Sequence, residues 1–159
     1  MKIWFKRIVA VLGLFLALPL CALDVQYGTF FTVKGVSVQD GKLVLPLARK
    51  KYANVRILDK ATYQWVLACK PDNCVWQAAP GHTQIQSVRE ANTRPGMWIA
   101  QVDVDGKWVL TFLVFENPDG FGFVVPQEIV ITAKSWQDSI EQQIAAEITR
   151  LKEEGKDEM

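Results

Sequence analysis

The stretch VDVDGKWVLTFLVFENPDGFGFVV, Val102 to Val125, decides the fold. Asp105-Gly106 and Pro118-Asp119-Gly120 each lie between runs of Val, Leu, Phe and Trp, and an Asp-Gly step in that setting is the strongest short-range sign of a β-hairpin. With Asp105-Gly106 as a two-residue loop, Val104 faces Lys107, Val102 faces Val109, Ala100 faces Thr111 and Trp98 faces Leu113, while Asp103 faces Trp108 on the other side. Trp108 to Phe115 is apolar on both faces, which predicts a central strand covered on each side. Gly122 marks a bulge or a close backbone approach in the next strand, and Pro126 ends the run.

Working outward, EIVIT at Glu128 to Thr132 reads as one more strand, and then the period changes. Trp136, Ile140, Ile144, Ile148 and Leu151 share one helical face, so an amphipathic helix is expected over about 134–153, its stripe packed on the sheet in preference to the alternative of binding a partner protein. Ser135 with Asp138, or Thr132, would cap it, Gly155 would stop it, and residues 155–159 would fray. Toward the N-terminus VSVQDGKLVL predicts another hairpin around Asp40-Gly41. The inventory is mainly β (α+β): a compact antiparallel sandwich or partly open barrel of about seven or eight strands with one C-terminal amphipathic helix, in a single domain over 23–154.

The segment KATYQWVLACKPDNCVW, Lys60 to Trp76, is less clear. Asp59 is a possible N-cap for a short helix, but Tyr63, Trp65 and Val66 favour a sheet, and the strand is preferred. On that reading Lys70-Pro71-Asp72-Asn73 forms the turn of a hairpin, setting Cys69 opposite Cys74 and Leu67 opposite Trp76, and a disulfide staples it. The spacing between the cysteines is not the C-x-x-C of a redox dithiol. A zinc site from Cys69, Cys74 and His82 would be destroyed by oxidation, and no metal or other cofactor is expected.

The compartment supports the disulfide. The first residues, MKIWFKRIVAVLGLFLALPLCALDV, place Lys2, Lys6 and Arg7 ahead of an uncharged run to Ala22, the layout of a secretory signal peptide over 1–22 with export to the periplasm or medium. The run is short for a membrane anchor and broken by Pro19, so no integral span is expected after cleavage. A lipid anchor on Cys21 is the minority reading, since Leu20 stands where a small residue is normally wanted.

Charge is polarised: residues 23–76 carry eight bases against four acids, and residues 134–159 carry four against seven. The cluster ARKKYANVR gathers Arg49, Lys50, Lys51, Tyr52 and Arg56, a candidate contact for an anionic partner. Nucleic acid is not expected, because an exported chain seldom meets it and the charge after cleavage is −2.

Catalytic groups are sparse. His82 is the only histidine, in a PGHTQ turn, and no catalytic residue is assigned. DVDG, Asp103 to Gly106, echoes the start of a calcium loop, but the last ligand of that loop would fall at Val114 in an apolar strand. The expected function is therefore non-catalytic: an exported protein acting by protein–protein contact, as an accessory part of a bacterial cell-envelope assembly or an inhibitor-like binder, whose partner is another envelope protein. The alternatives are a periplasmic carrier of a small apolar ligand in a β-barrel, and an enzyme with an unrecognised site.

Overall fold

The structure is a computed structural model that describes residues 22–48, 52–77 and 81–157. Residues 1–21, most of the segment expected to be a signal peptide and Cys21 with it, lie outside them, as do Arg49, Lys50 and Lys51. In chain order the elements are β1 (Leu23–Tyr27), β2 (Phe31–Gln39), β3 (Lys42–Val44), β4 (Leu47–Ala48), β5 (Tyr52–Ala53), β6 (Val55–Ile57), α1 (Lys60–Leu67), β7 (Val75–Trp76), β8 (Thr83–Glu90), β9 (Met97–Val104), β10 (Trp108–Asn117), β11 (Gly120–Val124), β12 (Ile129–Ile131) and α2 (Lys134–Asp157).

The strands form two five-stranded, mainly antiparallel sheets and one small hairpin. The first sheet runs β12-β2-β1-β7, with β3 also on β2; the second runs β11-β10-β9-β8, with β6 also on β10; β4 pairs β5. The architecture is an α+β sandwich, as the inventory of hairpins and one long helix predicts. More strands appear than the seven or eight expected, because β4, β5, β6 and β7 are only two or three residues long, too short to show a period.

β10 is the central strand that its two-sided apolar pattern requires, flanked by β9 on one side and by β6 and β11 in succession on the other. The register of its first hairpin differs from expectation by one residue. Trp108 faces Val104, Leu110 faces Val102, Phe112 faces Ala100 and Val114 faces Trp98, all buried on one face. The turn itself is the Asp-Gly type, since Asp105 and Gly106 both have positive φ and the Lys107 N–H donates to the Val104 carbonyl at 3.0 Å, but Lys107 is then an extra residue before the ladder. The burial pattern explains the shift. β9 alternates buried and half-buried, and only this register puts its buried row against the large side chains of β10 rather than setting Asp103 against Trp108.

The second correction concerns 59–69. Lys60–Leu67 is a helix, not a strand: Asp59, in extended conformation, accepts the Thr62 N–H at 3.1 Å, and Thr62 and Val66 turn one face into the core. Capping and burial together outweigh the sheet preference of Tyr63, Trp65 and Val66. Burial opposes the charge of Asp59, but hydrogen bonding from Thr62 and the Lys107 ammonium outweigh it, holding this carboxyl below the usual range. The hairpin placing Leu67 opposite Trp76 is accordingly absent. The Cys69–Cys74 disulfide forms, but it ties the end of α1 to β7, which pairs parallel with β1. Trp65 of the helix meets Trp76 of the strand edge-on, ring centroids 4.8 Å apart.

α2 presents Trp136, Ile140, Ile144 and Ile148 to the core as the spacing requires, and continues through Gly155 to Asp157 rather than stopping. Gly155 is exposed there, and a glycine within a helix costs only about 1 kcal/mol relative to alanine. An aromatic seam joins the layers: Trp136 stacks on Phe31 at 5.7 Å, and Phe31 meets Trp108 edge-on at 5.8 Å. Tyr27, Phe31, Trp108 and Phe112 are fully enclosed, each worth about 1.5–3 kcal/mol of apolar burial.

Candidate partner-binding edge

The second sheet ends in β8 on one side and in β11 and the three-residue β6 on the other, and the chemistry of the two longer outer strands, β8 and β11, differs. β8, TQIQSVRE, carries Arg89 and Glu90 and has an irregular register between Ile85 and Ser87. α2 packs against it, with the Gln143 amide 3.4 Å from the Thr83 hydroxyl. β11, GFGFV, has no charge, no proline and no bulge, and pairs only with β10 among the described residues. Outer strands are normally blunted by charge, bulge or cover, because unpaired N–H and C=O groups recruit further strands.

Both faces of β11 are apolar. Phe121 and Phe123 fall opposite Glu116 and Val114, so they lie on the α2 side, half-buried. Val124 falls opposite Leu113 on the outer face and, at 46% exposed, is the most exposed large apolar side chain among the described residues. Half-buried Met97, Ile99, Leu113 and Phe115 continue that outer face, with the Arg94 guanidinium 5.6 Å from the centre of the Phe115 ring.

On the α2 side an open groove of about 310 Å³ runs between strand and helix, lined by Phe121, Phe123, Asp138, Glu141, Gln142 and Ala145. The helix residues follow i, i+3, i+4, i+7 spacing, so one stripe of α2 forms the wall. Asp138 pairs with Lys134, and Glu141 accepts from the Gln137 amide at 2.8 Å. Behind the groove Glu116 holds helix to sheet, accepting from Lys152 Nζ at 2.7 Å and from the Trp98 indole at 2.8 Å. The Lys152 ammonium, then the indole, keep the Glu116 carboxyl below the usual glutamate range, against its partial burial.

The residues singled out by sequence fall elsewhere. Cys69 and Cys74 are joined, so neither thiolate is free for zinc or exchange. Of the basic cluster, Arg49, Lys50 and Lys51 lie outside the described residues; Tyr52 is placed only by its backbone, opposite Ala48. Arg56 sits on β6 and donates to Gln86 Oε1 at 3.0 Å, so it bridges within the chain. His82 is exposed, and its backbone N–H donates to Asp105 Oδ1 at 2.6 Å.

DVDG forms the turn: Asp103 accepts the Gly106 N–H at 2.7 Å, and Asp105 takes the Tyr27 hydroxyl at 2.5 Å. Burial, then the Asp105 carboxylate, raise the Tyr27 pKa well above its ordinary value. Asp105 thereby ties the first sheet to the second. The sequence analysis did not single out β11 as a candidate edge, although a signal was present: five consecutive residues with neither charge nor proline, after a tight turn. Comparison of the chain with protein-family models, with curated proteins and with solved structures found no match.

Proposed function

We propose that this is an exported, non-catalytic protein that acts by protein–protein contact in the cell envelope, using the free edge of β11 to take up an extended segment of its partner. The observation that carries the reading is the pairing of an edge with no second neighbouring strand among the described residues with apolar side chains on both of its faces. Strand addition draws affinity from main-chain hydrogen bonds and specificity from alternate side chains, and β11 offers both. The Cys69–Cys74 bond agrees with an oxidising compartment.

A carrier for an apolar ligand is less well supported. The space between the sheets is occupied by Tyr27, Phe31, Trp108 and Trp136, with ring centroids 5.3 to 6.0 Å apart along the seam. The groove beside β11 is open, and carboxylates form part of its wall.

The test is quantitative crosslinking of the chain in its native envelope. Val124→Lys puts a charge on the edge and is expected to remove the partner, while Ser87→Lys on β8 leaves it in place. Retention of the partner by Val124→Lys would discard the β11 reading. Its loss on reversing Lys50 and Lys51 to glutamate, with Val124→Lys silent, would move the contact to the basic cluster. The intact mass of the native protein tests export: a chain starting after Ala22 and oxidised at both cysteines is expected.

A further inference from the structure

Resting on that reading, we infer the chemistry of the segment that β11 receives: an extended, apolar stretch of another protein with a lysine or arginine at an alternate position, directed onto Phe121, Phe123 and Glu141. The six residues lining the groove include two aromatic rings and two carboxylates, and no cation. Around the junction of helix and sheet the other acids have cationic partners within hydrogen-bond distance, Glu116 with Lys152 and Glu147 with Arg150. In the groove Asp138 has Lys134, whereas Glu141 accepts from the neutral Gln137 amide and has no cation within hydrogen-bond distance among the described residues. Lys134 is mostly solvent-exposed and feels both carboxylates, so the wall keeps one excess negative charge.

The spacing suits a strand. Residues on one face of an added strand recur every ~6.8 Å, so one of them lies beside the Phe121–Phe123 pair, where a cation meets both an aromatic ring and a carboxylate. Ala145 is the smallest side chain of the α2 stripe, leaving room for a long one. Guanidinium fits best, since it stacks on rings and pairs with carboxylates at once. A second copy of the chain fits worse. Two β11 edges paired about a two-fold axis would bring two acidic walls to the same side, and five residues of edge fall far short of the ~1,200 Å² of a standard interface.

Selection from a random dodecapeptide library on the immobilised full chain tests this. Enriched peptides are expected to alternate apolar residues with one Lys or Arg, and Glu141→Lys is expected to replace that cation by Asp or Glu. Glu141→Gln should weaken a selected peptide about tenfold, and N-methylation of alternate amides on its pairing edge should abolish binding. Enrichment without a basic preference, or one that Glu141→Lys leaves unchanged, overturns the inference. Selection of the same peptides by Val124→Lys overturns the strand-addition reading instead. A dimer in sedimentation that Val124→Lys dissolves would assign the edge to a second copy, and thereby overturn the inference too.

Discussion

β8 and β11 close the two ends of one sheet, yet only one of them is defended. β8 carries charge, an irregular register and a helix laid against it; β11 is apolar on both faces and pairs on one side only among the described residues. Stability does not require this difference, because an edge of five residues could be blunted by one lysine at little cost. The asymmetry teaches where to look for a contact: at the edge left unguarded while its counterpart is protected.

The comparison breaks most forcefully through the helix that both edges share. Trp136→Ala removes the ring stacked on Phe31 and is expected to cost about 3–5 kcal/mol in denaturant unfolding. It should loosen α2 from β8 and from the groove together, so that hydrogen exchange rises in both.

The disulfide lies at the far end of the argument, on the first sheet. Replacing Cys69 and Cys74 by alanine should lower stability by about 2 kcal/mol, since the closed loop is short, while partner capture at β11 is unaffected. Loss of capture with the fold intact would mean that the first sheet shapes the contact.

The two acid–base contacts sharpen the picture by pH. Glu116 has a depressed pKa, so its contribution is present above the ordinary glutamate value and is lost as pH falls through the folded one. Tyr27 has a raised pKa, so its contribution is present below the ordinary tyrosine value, about pH 10, and is lost above it. Unfolding free energy followed against pH should decline at both ends, the acid limb shrinking in Glu116→Gln, where the depressed carboxyl of Asp59 still contributes, and the alkaline limb shrinking in Tyr27→Phe.

The smallest expected effect on stability is the most informative about function. Val124→Lys and Ser87→Lys are both surface changes and should each stay within about 0.5 kcal/mol of the parent. Only the first should abolish capture; equal behaviour would erase the distinction between the edges.

Much of this was legible in the chain. The Asp-Gly steps at 40–41 and 105–106, the two-sided apolar run of β10 and the isoleucine spacing of α2 each impose a local geometry that no distant residue has to supply. Other features were not. The helix at Lys60–Leu67 depends on burying Thr62 and Val66, and the Lys107 irregularity depends on which row of β9 faces the core. β11 could be read as a strand, but whether its far side is paired is a property of the whole sheet.

The sequence by itself determined the class of the molecule: hairpins, a central apolar strand, a terminal amphipathic helix and a pair of cysteines close enough to join. Those follow from backbone sterics and from side-chain period, which act within a few residues. Tertiary structure alone decided the register, the partner of each cysteine-bearing segment and, above all, which edge was left open. An edge is defined by what does not lie beside it, and the long-range pairing of β6 with β10 and the packing of α2 against β8 help to set that.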